Sequence, residues 1–245
     1  MRIAVISDIH ANFPAFEEVM KDIEKQNIDA IYCLGDLVGY NVWPNAIITE
    51  IKKRRIPTIA GNHDVKAVKI QDQRNSNDPA DLAYLMIKKD LVTYLSTLPA
   101  FIRLEFKFSN ETVVLLMVHG SPYSNTEYLL EDKPEKDYAA IFTDTAADIL
   151  ICGHSHKPYH RIISDGGASK RYFHAINAGS VGKPKDGKPQ ACYAIVTFDK
   201  CSSAFKKDSI KVEFVRVDYD VEKAAQAIEH SDLPDEFADM LRKAY

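Results

Sequence analysis

Five times along this chain, a short apolar or β-rich run ends in a small residue, a potential ligand, or both. The endings are Asp8-Ile9-His10, Gly35-Asp36, Gly61-Asn62-His63-Asp64, His119-Gly120 and Gly153-His154-Ser155-His156. In open α/β sheets, ligands bind in the crevice beyond the carboxyl ends of the strands. The repetition therefore constrains both the fold and the place where chemistry happens. A lone strand-end Asp is often a helix cap, and a lone His is more often a satisfied core residue than a ligand. Core packing gives no reason, however, for five of the eight histidines to stand at strand ends, and the ordered set points to one site.

The runs between the motifs define the scaffold. Residues 2–7 read as a first strand, and Asn12 caps a helix over 14–26 whose Phe16, Val19, Met20 and Ile23 share one face. Residues 29–34 form a second strand, 44–54 a helix and 57–60 a third, very short strand. This alternation predicts βαβ units and a largely parallel buried sheet. On an extended backbone, Asp8 and His10 point the same way and form a ready chelate. Gly35 permits the tight turn that turns the Asp36 carboxylate into the crevice.

Residues 78–98 turn helical again, with Leu82, Leu85, Met86, Leu91, Leu95 and Leu98 as apolar contacts and Pro99 as a stop, in a position to overhang the site. Apolar residues alternate over 102–108, Asn110 breaks the run, and 112–118 follows, which is a hairpin pattern. Further strands are expected at 148–152, 172–176, 192–198 and 212–217, and closing helices at 221–230 and 234–243. The expected architecture is α/β: a two-sheet β-sandwich flanked by helices, forming one domain over residues 1–245, with 183–189 a polar turn rather than a boundary.

Composition narrows the functions. At 245 residues and 46% hydrophobic content, the chain can bury a full core. A net charge of -4 and pI near 6.1 argue against nonspecific attraction to nucleic acid or an anionic membrane, so a phosphate substrate needs local positive charge. The first apolar run ends at Ser7-Asp8, too early for a signal peptide, and no run approaches the roughly 18 residues that span a bilayer. The expectation is a cytoplasmic protein with no membrane association and no stable nucleic-acid partner. Cys33, Cys152, Cys192 and Cys201 lack CxxC spacing and, with three in strand-like runs, read as reduced core thiols.

The order Asp-x-His, Gly-Asp, Gly-Asn-His-Asp, His-Gly, Gly-His-x-His over residues 8–156 resembles the calcineurin-like metallophosphoesterase superfamily. Asn177-Ala178-Gly179-Ser180-Val181-Gly182 is similar to a turn of its small prokaryotic phosphodiesterase and diadenosine-tetraphosphatase-like group. The resemblance implies a four-layer α/β/β/α fold with a binuclear metal centre. Asp8, His10, Asp36 and His156 would hold one divalent ion and Asp36, Asn62, His119 and His154 the other. A metal-bridging hydroxide would attack phosphorus. His63 would be the non-ligand catalytic histidine, with Asp64 either orienting it or capping a helix. The ions are drawn from manganese, iron, zinc, cobalt and nickel, because imidazole, carboxylate and amide oxygen suit them all.

Where the superfamily's protein-phosphatase branch reads Gly-Asp-x-x-Asp-Arg-Gly, this chain has Gly39 and Tyr40 in place of the acid and the arginine. Without a guanidinium fork, recognition of a monoester dianion weakens, which favours a phosphodiester or nucleotide-type phosphoanhydride. Tyr40 and Trp43 either stack on a base or pack locally. Lys183 and Lys185 either meet a distal phosphate or are solvated. His160, His174 and His230 match no motif. A phosphoprotein or phosphomonoester phosphatase is the enzymatic alternative, and a non-catalytic metal-binding scaffold of the same fold the alternative from another class.

Overall fold

The computed structural model describes residues 1–73, 78–108, 111–166 and 170–245; Asn110, expected at the hairpin break, lies outside them. Strand β1 (Arg2–Ile6) leads to helix α1 (Phe13–Ile23), β2 (Ala30–Cys33), α2 (Pro44–Arg54) and α3 (Asn62–Gln73). Two short helices, α4 (Leu82–Leu85) and α5 (Lys89–Leu95), precede β3 (Phe101–Lys107) and β4 (Thr112–Val118). Then come α6 (Glu135–Thr145), β5 (Ile149–Cys152), β6 (Tyr159–Ser164), β7 (Tyr172–Asn177), β8 (Ala191–Thr197), β9 (Lys211–Val217), α7 (Val221–Glu229) and α8 (Glu236–Lys243).

The strands form a four-stranded sheet, β2-β1-β8-β9, and a five-stranded one, β3-β4-β5-β7-β6. Strand β1 shows why they stack. Ile3 and Val5 join Val113, Leu115, Ile149 and Ile151 in the core between the sheets. Ala4 and Ile6 join Phe16, Val19, Ile47, Ile51 and Ile70 of the helices outside the first sheet. A strand covered on both faces must be apolar at every position, which is why 3–6 reads as an unbroken run. Outside the second sheet, Leu116 and Leu150 pack on Tyr138, Ile141 and Phe142 of α6. The layers are therefore α/β/β/α.

The sheets are mixed rather than largely parallel. Strand β1 runs parallel to β2 but antiparallel to β8, and β8 antiparallel to β9. The late strand β8 returns beside the first and brings its own hairpin partner. The short strand expected at 57–60 shrinks to a single Cys33–Thr58 bridge, since Pro57 has no N–H to extend the ladder. Helices α3 and α6 and strand β6 are additions to the sequence-based expectation. Cys33, Cys152 and Cys192 are buried thiols; Cys201 sits exposed in the turn after β8, so the core assignment fails for it. Among the described residues, no helix is long and apolar enough to cross a membrane.

Candidate metal centre

The five motifs converge where the two sheets' strand ends meet. The loop after β1 zips onto the loop after β2: Asp8 N donates to Gly35 O (3.1 Å), His10 N to Asp36 O (2.9 Å) and Ala11 N to Leu37 O (2.8 Å). The expected extended backbone at Asp8 and His10 is absent. Strand β1 ends at Ile6, and Asp8 (φ 53°), His10 (47°), Asp36 (53°), His154 (63°) and His156 (60°) all adopt the left-handed region. Asp and His tolerate it better than most residues, but each still carries strain that the surrounding contacts must hold. Some of that restraint comes from the Asn177–Gly182 turn. Ser180 Oγ and Gly182 N both donate to Asp8 O (2.8 and 3.0 Å), and Asn177 Nδ2 to Gly153 O (2.6 Å). Gly35 makes its predicted turn at φ 88°, and a Cβ there would lie 2.3 Å from Gly61 N, so the second and third motifs touch through it.

Partners on the far side of each ring reveal what faces inward. His10 Nδ1 meets Val38 O (3.0 Å), His119 Nδ1 meets Leu34 O (2.8 Å), His156 Nδ1 meets Lys183 O and His154 Nε2 meets Thr126 O (3.1 Å). A carbonyl only accepts, so each of these nitrogens carries the proton when the ring is neutral, and the other nitrogen is a lone pair. Those lone pairs crowd one another. His10 Nε2 is 3.2 Å from His156 Nε2, and His119 Nε2 is 3.0 Å from Asn62 Oδ1.

The carboxylates add to the crowding. Asp8 Oδ2 accepts from Ser7 Oγ (2.6 Å) and His154 N (3.0 Å), and Asp36 Oδ1 from His63 N (2.8 Å). Among the described residues, Asp8 Oδ1 and Asp36 Oδ2 accept no hydrogen bond although both are buried. Asp8 Oδ1 lies 3.1 Å from His156 Nε2 and 3.7 Å from His10 Nε2; Asp36 Oδ2 lies 3.3 Å from His119 Nε2 and 3.7 Å from His10 Nε2. Buried acceptors facing acceptors are costly unless a cation lies among them. The donor set, nitrogen with carboxylate and amide oxygen, fits divalent transition metals. Asp8, His10 and His156 form one candidate ligand group and Asp36, His119 and His154 another, with Asp36's bare oxygen turned to both sides.

Titration follows the same geometry. Burial pushes both carboxyls up, but His156 beside Asp8, and His119 and His63 beside Asp36, outweigh it and hold both below the usual range. Burial pulls His119 down, yet the Asp36 carboxylate lifts it to about 9. Burial also lowers His10 and His154. A proton on His119 thus does part of a cation's work.

The remaining candidates divide. Asp64 does not touch the His63 ring; it accepts from Asp36 N (2.8 Å), Leu37 N (2.9 Å) and Gly61 N (3.0 Å). That extends the helix-cap alternative into a brace across two motifs. Burial and then Asp36 raise its carboxyl to about 7. Lys183 is buried rather than solvated, its Nζ 4.6 Å from the Tyr40 ring centroid and donating to Tyr245 O (3.4 Å). Lys185 is half-buried, and its ammonium feels both Asp8 and Asp36. Tyr40 packs edge-on to His10 and against Phe237, and Trp43 packs with the closing helices, which favours the local-packing alternative for both. Sequence reasoning missed Tyr84, whose hydroxyl is 2.5 Å from His63 Nδ1, and Tyr128, stacked on His154 at 4.3 Å. Neither lies in a motif; only their distance from the site after folding reveals them. A cleft of about 890 Å³ opens beside His119, lined by Val65, Leu98, Phe101, Arg103 and Tyr123 among others.

Known proteins resemble this chain over most of its length. Residues 1–201 match the family model described as the calcineurin-like phosphoesterase superfamily domain. Uncharacterized protein MJ0912 of Methanocaldococcus jannaschii is 32% identical over 249 residues, 95% of this chain and 94% of that one. The crystal structure of a metallophosphoesterase from Sphaerobacter thermophilus superposes with a TM-score of 0.76 at 28% identity, covering 100% of this chain and 99% of that one. Hypothetical protein PH1004 from Pyrococcus horikoshii gives 0.73 at 25% identity, covering 98% and 97%.

Proposed function

Because this chain belongs to the calcineurin-like phosphoesterase superfamily, we propose that it hydrolyses phosphodiesters or nucleotide-type phosphoanhydrides at a centre of two divalent metal ions. The observation that carries the reading is the cluster of buried acceptors facing one another, above all His10 Nε2 against His156 Nε2 at 3.2 Å. Asp8, His10, Asp36 and His156 would hold one ion and Asp36, Asn62, His119 and His154 the other. When bound, such ions supply Lewis acidity toward the phosphoryl group and acidify water at neutral pH.

The chain's own residues do the rest. The Val38, Leu34, Lys183 and Thr126 carbonyls fix which nitrogen each histidine presents. Asp64 holds the second and third motifs in register, and Lys183 supports the Tyr40 ring at the rim. Lys185 supplies positive charge toward a distal phosphate. His63, with no carbonyl behind its ring, is free to serve the leaving oxygen.

Substrate preference rests on Gly39 and Tyr40, which leave the site without the acid and the guanidinium that favour a monoester dianion. The cleft beside His119 has the size range of small-molecule sites and suits an organic leaving group. Turnover of bis(p-nitrophenyl) phosphate against p-nitrophenyl phosphate with added manganese tests the reading. The diester should turn over faster, and chelation should abolish both activities reversibly. Faster monoester turnover would favour the phosphatase alternative. Inactivity on both with metal bound would point to a scaffold.

A further inference from the structure

Of the five histidines in the motifs, four have a backbone carbonyl behind the ring and one has a hydroxyl. That one is His63, whose Nδ1 lies 2.5 Å from Tyr84 Oη. The difference is chemical, because a carbonyl can only accept a hydrogen bond whereas a phenol can donate one. Tyr84 is 3% exposed, and its hydroxyl has no other hydrogen-bond partner among the described residues. If His63 Nδ1 carried a proton and donated it, the phenol's own proton would be buried without an acceptor, which is unfavourable. Burial, reinforced by the Asp36 charge, also holds the phenol protonated far above its ordinary range.

We infer that Tyr84 is a positioning residue: its hydroxyl donates to His63 Nδ1, so a neutral His63 carries its proton on Nε2 and presents an N–H to the substrate. The same arrangement excludes His63 from the metal ligands, although its ring lies close to His10 and Asp36. The protonated Nε2 has no lone pair to offer. It also decides between the two roles open to this histidine. A neutral imidazole whose far nitrogen accepts from a phenol stabilises the leaving oxygen by donating a hydrogen bond, and the oxygen takes its proton from solvent. Full transfer from Nε2 would leave either an imidazolate or a buried phenolate.

Gly39 is the second observation. A Cβ placed there would lie 2.8 Å from His63 Nδ1 and 3.3 Å from Tyr84 Oη. A side chain at position 39 would thus compete for the same nitrogen, and the glycine leaves that nitrogen to the phenol. Tyr84 itself is held by α4, with Lys66 Nζ over its ring at 5.1 Å. The segment expected to overhang the site therefore contributes a contact to it.

This inference deepens the proposed hydrolase reading and rests on it for the substrate, but its test does not need turnover. Long-range proton–nitrogen NMR of the full-length, ¹⁵N-histidine-labelled chain, with and without zinc, reports the tautomer of each ring. The His63 signals are identified by their loss in His63→Gln. The parent should show His63 as a single Nε2–H tautomer, and Tyr84→Phe should show a mixture. A parent with Nδ1–H, or a Tyr84→Phe variant with an unchanged tautomer, overturns the assignment whatever the enzyme hydrolyses. In kinetics with bis(p-nitrophenyl) phosphate, Tyr84→Phe should lower kcat about 10-fold, within the range for partners that orient a site histidine, with KM within about twofold. His63→Gln should keep more activity than His63→Ala, because an amide N–H also donates. Equal activity of those two variants contradicts the hydrogen-bond role, whereas absence of any turnover in the parent refutes the hydrolase reading and leaves the tautomer result standing.

Discussion

Among the described residues, two pairs of buried or half-buried histidines have ring nitrogens about one hydrogen bond apart, and they are opposite in kind. In the strand-end crevice, His10 Nε2 and His156 Nε2 are 3.2 Å apart, with carbonyls fixing a proton on each far nitrogen and the bare Asp8 oxygen beside them. On β6 and β7, His160 Nε2 and His174 Nδ1 are 2.9 Å apart, the rings stack at 16°, and among the described residues no carbonyl fixes either tautomer. The second pair can share a proton between its facing nitrogens, although His174 Nε2 is itself buried without a partner among the described residues. The first cannot while both rings are neutral, and a metal ion among these acceptors, or an added proton, resolves it. Nitrogen spacing alone therefore does not mark a metal site. The group behind each ring does, together with a carboxylate oxygen left without a donor.

The largest effect expected from breaking the first arrangement is at Asp36, whose bare oxygen faces both ligand groups. Asp36→Ala should lose bound metal and at least about 1,000-fold in turnover, read by elemental analysis and diester hydrolysis of one preparation. His63→Ala should keep its metal while kcat falls about 100-fold or more, the range of a positioned proton or hydrogen-bond donor. Loss of metal in that variant would make His63 a ligand and contradict the tautomer argument.

The second pair makes its prediction through pH rather than metal. Burial and then His160 depress His174 from 6.5 to about 4. A depressed folded-state value means the unfolded chain binds the extra proton first, so His174's contribution is fully present above about pH 6.5 and lost as pH falls toward 4. The stake is at most about 3 kcal/mol. His174→Phe should flatten the melting temperature's fall over that window without changing metal content; an unchanged acid slope would refute the assignment. The smallest effect is expected at Tyr128, half-exposed and stacked on His154. Tyr128→Ala should weaken metal binding a few-fold, as suits one aromatic contact, measured by competition with a chromophoric chelator.

How far the sequence carried the fold depends on which residues face two ways. Helices α1 and α2 were legible because Phe16, Val19, Ile47 and Ile51 recur on single faces between clear punctuation at Asn12 and Pro44. Helix α3 was not, because its first turn is the Asn62-His63-Asp64 motif, whose polar residues serve the site. Helix α6 begins after Pro134 with Glu135 and Asp137 in its first turn, but without a side-chain cap, so its start signal is incomplete. Strand β6 interrupts its alternation with His160 and Arg161. For the site, the ligand candidates could be named because strand ends concentrate them. Their left-handed backbones and the phenol of Tyr84 could not, since both depend on contacts between segments far apart in sequence.

Anomalous scattering from crystals soaked in manganese tests the central claim most directly. The account predicts two peaks, one beside Asp8, His10 and His156 and one beside Asn62, His119 and His154, with Asp36 adjoining both. Crystals showing no ion between His10 and His156, or showing manganese at His160 and His174 instead, would contradict it.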